Sequence, residues 1–245
     1  MVMRLIIMGV LVISINGCVH SSATPSRTVA KSPTIECPDG TVLMGEPPPK
    51  GYAQGCVDGE VREHGKWVRW DKNGQKREEG DYKHGKPHGT WTFWHENGQK
   101  AGDSQFKDGN KDGKTTNWHK NGQKREEGDY KLGKPHGKWT TWYENGQKKA
   151  DSEFKDGNMD GKTTTWHKNG QMELEGNFKL GKPHGKWTTW YDNGQKKAYR
   201  NEDGKLTTWH KNGQKKSEGD YKDGKKQGKW TCWDEAGKEI TCPKD

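Results

Sequence analysis

An aromatic residue returns at intervals of 12 through most of this 245-residue chain. The tryptophans of the series recur with a period of 24, except for one interval of 19, and a tyrosine or phenylalanine stands midway between most of them. The series, called here the phased aromatics, comprises Trp70, Tyr82, Trp94, Phe106, Trp118, Tyr130, Trp142, Phe154, Trp166, Phe178, Trp190, Trp209, Tyr221 and Trp233. A fixed period of this length is the signature of a repeat protein, in which each unit packs against its neighbours.

Two turn signals alternate along the repeat. Asn-Gly-Gln follows the phased tryptophans from Asn73 to Asn212, and a glycine-bounded segment such as residues 85–89 follows the midway aromatics. Asn-Gly favours a type I′ hairpin turn, whose two central residues both have positive φ. Because a turn accompanies every aromatic of the series, the strands should be about six residues long, with no room for a helix. The sequence therefore predicts an all-β fold, an elongated antiparallel β-meander of stacked hairpins with a 24-residue period.

The composition argues against a deep core. Only 26% of the residues are hydrophobic and 31% are charged, a balance typical of disorder, but the chain also has 13 tryptophans. Because one aromatic side chain can bury about 150–250 Å², we expect a shallow structure with an aromatic stripe. The formal charge is +9, with lysines interleaved among acidic residues. This pattern indicates a solvated face, with weak attraction to acidic polymers or anionic lipid headgroups as the alternative, and we expect no specific nucleic-acid partner.

Residues 1–17 have the pattern of a signal peptide. Arg4 precedes an apolar run from Leu5 to Ile15, and this run is too short to cross a bilayer as a helix. The sequence Ile-Asn-Gly-Cys that ends at Cys18 resembles the bacterial lipobox, and no Asp follows it. The resemblance implies cleavage before Cys18, lipid on that cysteine, and sorting to the outer membrane; an ordinary secretory signal is the alternative. We expect a lipid-anchored cell-envelope protein in which residues 18–36, rich in Ser, Thr and Pro, form a tether.

The other four cysteines lie in two local pairs. Cys37 and Cys56 stand ahead of the repeats, and Cys232 and Cys242 stand near the C-terminal end of the chain. Local disulfides are the simplest pairing in an exported protein and leave no free thiol. A zinc site is the alternative, which the lack of Cys-x-x-Cys spacing disfavours. We expect a small disulfide-closed module at residues 37–56 and a repeat array at residues 57–245.

A second set of aromatics has a 48-residue period. An extra tryptophan stands three residues before every second phased tryptophan from Trp94 to Trp190. Since side chains alternate between faces along a strand, we expect the phased aromatics on one face, as the core stripe, and this second set on the other. Two interpretations stay open: a second layer of core, or exposed platforms that bind sugar rings or apolar peptide. The candidate binding residues are Trp91, Phe93, Trp139, Tyr143, Trp187 and Tyr191.

The polar residues that could carry chemistry recur with the period. His88, His136 and His184 hold equivalent positions, and paired carboxylates recur in the same way, whereas a catalytic site occurs once. Equivalent histidines on every fourth strand stand about 19 Å apart, too far to share a metal ion. The sequence therefore predicts no enzyme, no metal site and no cofactor, and a small-molecule substrate is not expected.

The repeating unit Gly-Lys-x-His-Gly-x-Trp-Thr-x-Trp-x-x-Asn-Gly-Gln-Lys, followed by an aromatic and Lys-x-Gly, resembles the MORN repeat over residues 60–240. More specifically, it resembles the bacterial variant found in proteins called YwqK-type antitoxins. The resemblance implies an elongated sheet of stacked hairpins that serves membrane association, scaffolding or protein contacts. We therefore expect a non-enzymatic binding or scaffolding surface for a cell-wall glycan, a membrane or a protein partner. The alternative is an antitoxin or immunity-type protein that neutralises a toxin by direct binding.

Overall fold

A computed structural model describes residues 34–222 and 225–243, which form 18 β-strands and no helix. The predicted signal peptide, Cys18 and most of the predicted tether lie outside the described residues. The described part also contains no helix that could span a membrane. The strands are β1 (Val42–Glu46), β2 (Ala53–Val57), β3 (Glu63–Trp70), β4 (Lys76–Lys83), β5 (Lys86–Trp94), β6 (Lys100–Lys107), β7 (Asn110–Trp118), β8 (Lys124–Lys131), β9 (Lys134–Trp142), β10 (Lys148–Lys155), β11 (Asn158–Trp166), β12 (Met172–Lys179), β13 (Lys182–Trp190), β14 (Lys196–Arg200), β15 (Lys205–Trp209), β16 (Lys215–Lys222), β17 (Lys225–Trp233) and β18 (Glu239–Ile240).

All 18 strands form one antiparallel sheet in meander order. Each strand from β2 to β17 pairs with the strand before it and the strand after it, so no connection crosses the sheet. At about 4.8 Å per strand the sheet extends for about 80 Å. The predicted all-β meander of stacked hairpins is confirmed.

The type I′ turns lie at the loops that follow the midway aromatics. Between β4 and β5, His84 and Gly85 have φ of 49° and 75°, and the flanking residues Lys83 and Lys86 pair directly. This loop uses only two residues, so most of the predicted glycine-bounded turn is strand. The strands of the full-length hairpins are therefore eight or nine residues long, and the predicted length of about six was wrong.

The Asn-Gly loops have a different geometry from the predicted type I′ turn. The N–H of Gly74 donates to the carbonyl of Asp71, and the N–H of Asp71 donates to the carbonyl of Gln75, at 3.0 and 2.8 Å. Within this loop only Gly74, at 78°, has positive φ. This is a type I turn closed by a glycine bulge.

The phased aromatics are divided between the two faces of the sheet, so the predicted single stripe was wrong. A two-residue turn pairs an even-numbered residue with an odd-numbered one, as in Tyr82 with Pro87. A midway aromatic and the phased tryptophan after it have numbers of the same parity, both even up to Trp190 and both odd for Tyr221 and Trp233, and therefore point to opposite faces. Tyr82 packs edge-on against Trp91, with ring centroids 4.9 Å apart, and Trp94 lies on the other face. We call the face with Tyr82 the aromatic face and the face with Trp94 the polar face.

A row of paired residues across the aromatic face forms the shallow core of the array. Trp91 covers Gly80 on β4, and Trp139 covers Gly128 on β8; a Cβ on either glycine would lie 2.3 Å from the indole. Between these tryptophans the row continues through Ser104, whose hydroxyl accepts a hydrogen bond from Thr115 at 3.2 Å. The 48-residue period therefore reflects a packing rule: a tryptophan over a glycine alternates with a threonine beside a serine.

The predicted N-terminal module continues the sheet. Strands β1 and β2 pair with each other, and β2 pairs with β3. Ile35, Cys56, Val68 and Trp70 form a buried cluster against which Cys37 packs. Disulfides join Cys37 to Cys56 and Cys232 to Cys242, with Cα–Cα distances of 5.6 and 5.2 Å. The two expected cysteine pairs thus close the two ends of the described sheet.

Candidate binding surface

The candidate tryptophans of the second aromatic set lie in the core row. Trp91 is 4% exposed and Trp139 is 8% exposed, and their indole N–H groups donate to the backbone carbonyls of Asp81 and Asp129 at 3.0 and 3.1 Å. Trp187, in the third copy, is half-buried. Of the two interpretations of this set, core packing describes Trp91 and Trp139.

The other candidates have two different environments. Phe93 is half-buried on the aromatic face and stacks on Trp91, with centroids 6.3 Å apart. Tyr143 and Tyr191 lie at the edge formed by the Asn-Gly loops. Their hydroxyls each donate at 2.8 Å to a backbone carbonyl of the next hairpin, that of Trp166 for Tyr143. Burial, with a smaller effect of the nearby Glu173 carboxylate, raises the pKa of Tyr143, so this hydroxyl keeps its donated proton.

Histidines make the same bond in four other hairpins. Nε2 of His95 donates to the carbonyl of Trp118 at 2.9 Å, and His119, His167 and His210 repeat the contact. A second bond runs beside it, since the side-chain amide of Asn97 donates to the carbonyl of Lys120 at 2.8 Å. These histidines and the Asn-Gly asparagines therefore connect successive loops along one edge of the sheet.

The polar face repeats a small network of a threonine, a carboxylate and lysines. Asp151 accepts hydrogen bonds from Thr140 at 2.7 Å and from Lys148 at 2.9 Å, and Lys138 lies 3.6 Å away. Burial raises the pKa of Asp151, but the hydrogen bonds from Lys148 and Thr140 outweigh it and lower the pKa. In the last such network, hydrogen bonds from two lysines lower the pKa of Glu218 to about 2.

Each network also reaches the phased tryptophan of the next hairpin. The ammonium group of Lys100, which pairs with Asp103, lies 5.5 Å from the ring centroid of Trp118. Lysine over aromatic rings is a cation–π contact. The pairs are Lys76 with Trp94, Lys100 with Trp118, Lys124 with Trp142, Lys148 with Trp166, Lys196 with Trp209, and Lys215 with Trp233. This motif was not predicted from the sequence, although it has a signal there: a lysine stands directly after most of the Asn-Gly-Gln segments.

The polar face carries shallow open grooves between these networks. One groove of about 460 Å³ is lined by Lys138, Asp151, Lys162, Trp166 and Glu175, together with residues between them. An aromatic ring, two ammonium groups and the three carboxylates of Asp151, Glu153 and Glu175 thus surround one concave stretch of the sheet. This set of groups can hydrogen-bond to sugar or peptide and stack on a ring.

The comparison with protein families matches seven segments of the chain to the MORN repeat variant family. The segments are residues 63–84, 87–108, 111–132, 135–156, 159–180, 183–201 and 202–223. No curated protein matches the chain in sequence. MORN repeats suggest a binding or scaffolding role. The matches extend over more than half of the chain and keep its 24-residue period; the chain belongs to the MORN repeat variant family.

Proposed function

We propose that the protein is a non-enzymatic binding or scaffolding protein of the bacterial cell envelope, held at the outer membrane by lipid on Cys18. The single observation that carries the binding role is the repetition of the lysine, carboxylate and tryptophan group on the polar face. Its copies occur on every second strand, about 10 Å apart. A surface that repeats at this spacing suits an extended partner that repeats as well.

The chemistry of the surface favours an acidic cell-wall glycan as that partner. The rings of Trp118, Trp142 and Trp166 are half-buried, which leaves area for stacking on sugar rings. The lysines beside them are exposed in part and can pair with acidic groups, in keeping with the charge of +9. Weak contacts made at several repeats add up when one chain of the partner engages them together.

A matched pair of lysine variants tests this proposal. The triple variant Lys100→Gln, Lys124→Gln and Lys148→Gln removes three ammonium groups from the polar-face networks. The control triple Lys107→Gln, Lys131→Gln and Lys155→Gln removes the same charge from exposed lysines beside the two-residue turns. In co-sedimentation with purified cell-wall sacculi, we expect the first triple to lose at least tenfold in affinity and the control to lose much less. If both triple variants lost affinity equally, the effect would come from net charge alone, and the proposed surface would be refuted.

The envelope location has its own test. Cells that express the wild type or Cys18→Ala are fractionated side by side, and the intact mass of the membrane-bound form is measured. We expect the wild type in the membrane fraction with acyl mass on Cys18, and the variant outside it. A soluble wild type that keeps residues 1–17 would contradict the anchor.

An antitoxin or immunity-type function is the competing proposal. The two disulfides favour the envelope over it, because disulfides persist in oxidising compartments and are rare in the cytosol. Reduced cysteines in cytoplasmic protein, together with rescue of cells from a toxin encoded beside the gene, would favour the antitoxin.

A further inference from the structure

Three polar side chains come together at the start of the array in a combination that no later repeat contains among the described residues. Asp58 lies in the loop between β2 and β3, His64 lies in β3, and His84 lies in the two-residue turn between β4 and β5. One potential ligand atom from each residue lies within 4.8 Å of the other two. In the part of the chain that the structure describes, this is the one such group of three.

The contacts within the group leave metal-binding atoms available. Nδ1 of His84 lies 3.6 Å from Oδ2 of Asp58, and the imidazole rings of His64 and His84 meet edge to face at 4.7 Å. Nδ1 of His64 is buried and has no hydrogen-bond partner. A buried nitrogen without a partner is costly. Nδ1 of His88 and of His136, at the equivalent positions, is buried in the same way, but only at His64 do two further ligand atoms lie within 4.8 Å, so that a bound metal ion would remove the cost.

Asp58 is held in place as a carboxylate. Oδ1 accepts hydrogen bonds from the backbone N–H groups of Glu60 and Arg62 at 3.0 and 3.1 Å, and Oδ2 accepts one from Nε of Arg62 at 3.0 Å. Desolvation raises the pKa of Asp58, but these hydrogen bonds outweigh it and lower the pKa to about 2. Carboxylates that bind metals are commonly oriented by such hydrogen bonds, and Oδ2 is the oxygen that lies near His84.

The repeat explains why the group is unique. The positions of His64 and His84 correspond to those of His88 and Asp108 in the next full repeat, where Nδ1 lies 4.0 Å from the carboxylate. His136 and Asp156 repeat that pair at 3.9 Å. These later sites offer two ligands each. The loop between β2 and β3 adds the third ligand only at the first hairpin.

We propose that Asp58, His64 and His84 bind one divalent transition-metal ion, with Zn²⁺ as the representative. Two imidazoles and one carboxylate are a ligand set typical of Zn²⁺ sites that keep a position open for water. Bonds of about 2.0–2.2 Å require the three ligand atoms to move closer together than they are here. The side chain of His84 is 57% exposed and has room to make that movement.

The bound ion would connect the disulfide-closed module to the array. Asp58 follows β2, which carries Cys56, whereas His84 belongs to the first hairpin that matches the repeat family. In the described structure the turn at His84 is already joined to β3 by one backbone bond, from the N–H of Gly85 to the carbonyl of Glu63 at 2.8 Å. This proposal does not depend on the lipid anchor or on the polar-face surface.

The chain itself supplies conservative variants for the test. Leucine occupies the position of His84 at Leu132 and Leu180, with the same left-handed backbone, so His84→Leu keeps the turn. Glutamine occupies the position of His64 at Gln227, so His64→Gln keeps the strand. The control is His136→Gln, which removes a histidine from a two-ligand pair. Asp58→Asn serves as a third variant if either histidine variant fails to fold by circular dichroism.

Full-length protein without a polyhistidine tag, purified in a non-ionic detergent and stripped with a chelator, is titrated with Zn²⁺ by calorimetry. We expect one Zn²⁺ per chain for the wild type and for His136→Gln. We expect at least tenfold weaker binding for His84→Leu and for His64→Gln. Visible absorption of the Co²⁺ form should appear in the wild type and disappear in the same two variants. Wild type that binds no Zn²⁺ at micromolar concentration, or folded variants that bind it as tightly as wild type, would refute the site.

Discussion

Gly128→Ala tests the packing rule of the aromatic face. An added Cβ would lie 2.3, 2.4 and 2.6 Å from three atoms of the Trp139 indole, whereas ordinary contacts begin at 3.4 Å. The indole must therefore move by about 1 Å, which is the difference between the clashing distances and an ordinary contact. It cannot move freely, because its edge contacts with Tyr130 and Phe154 have centroid distances of 5.2 and 6.3 Å and its N–H is bonded to the carbonyl of Asp129.

The expected cost of Gly128→Ala follows from these contacts. Overpacking costs about 1–3 kcal/mol, and a lost indole hydrogen bond adds about 1 kcal/mol. The gain from replacing glycine in a strand offsets about 0.5–1 kcal/mol. We expect a net loss of about 2–3 kcal/mol, measured by hydrogen exchange with mass spectrometry across β8 and β9. Gly59→Ala is the control, since a Cβ there meets nothing within 4 Å, and its effect should stay within about 0.5 kcal/mol.

A double variant shows whether the clash with the indole causes the loss. Gly128→Ser combined with Trp139→Thr copies the natural pair of Ser152 and Thr163. We expect the double variant to lose less unfolding free energy than the two single variants lose in total, by at least about 1 kcal/mol. The packing rule is wrong if Gly128→Ala costs no more stability than Gly59→Ala. It is also wrong if the stability losses of Gly128→Ser and Trp139→Thr simply add in the double variant.

Three further predictions follow from the edges and ends of the sheet. Tyr143→Phe should cost about 1 kcal/mol and speed hydrogen exchange at Trp166, whose carbonyl loses its donor, whereas histidine at the same position should restore the bond. The pKa of Glu218 is lowered to about 2 from 4.5, so the stability that this group contributes is complete above pH 4.5 and is lost as the pH falls towards 2. Glu218→Gln should therefore flatten the pH dependence of the thermal midpoint in that window. Replacing Cys37 and Cys56 together by serine should cost about 2–4 kcal/mol, with faster exchange confined to β1, β2 and β3.

Each of these predictions has an internal control. Tyr191→Phe removes the equivalent edge bond in another hairpin and should resemble Tyr143→Phe in its cost. Glu235→Gln changes an exposed carboxylate at the same end of the sheet and should leave the pH dependence of the thermal midpoint below pH 4.5 unaltered. Replacing Cys232 and Cys242 together by serine should speed hydrogen exchange in β17 and β18 and leave exchange in β1 unchanged. Exchange that rises evenly along all strands would contradict the nearest-neighbour coupling on which the three expectations rest.

The period of Trp70, Trp94 and their successors was sufficient to predict the meander, because aromatic spacing and turn residues act locally. The assignment of faces failed for a geometric reason. It depends on whether each loop contains an even or an odd number of residues, and residues such as His84 gave no signal that a two-residue turn lies there. An error of one residue in a loop moves every following side chain to the other face.

The Asp58, His64 and His84 group was missed for a related reason. Histidines at equivalent positions stand about 19 Å apart, and a shared metal ion was excluded on that distance alone. His64 and His84 are not equivalent to each other, and they meet because the start of one hairpin lies beside the turn of the next. At each edge of the sheet, residues from different positions of the repeat come into contact. Which of them meet depends on the register of the strands, and the period alone does not give that register.

The repeats differ in length at the edge of the two-residue turns, whereas the side-chain bonds along the Asn-Gly edge are kept across the shortened repeat. The shortened interval between Trp190 and Trp209 gives β14 and β15 of only five residues each. The Asn-Gly edge is intact across it, since Tyr191 still donates to the carbonyl of Trp209 at 2.8 Å. The five missing residues therefore fall at the edge of the two-residue turns, where backbone bonds, such as that from the N–H of Gly109 to the carbonyl of Pro87 at 3.0 Å, connect the described hairpins in place of histidine or tyrosine side chains. The same edge carries His84 in one turn and Leu132 in another, so it can acquire a local site without disturbing the bonds that align the repeats.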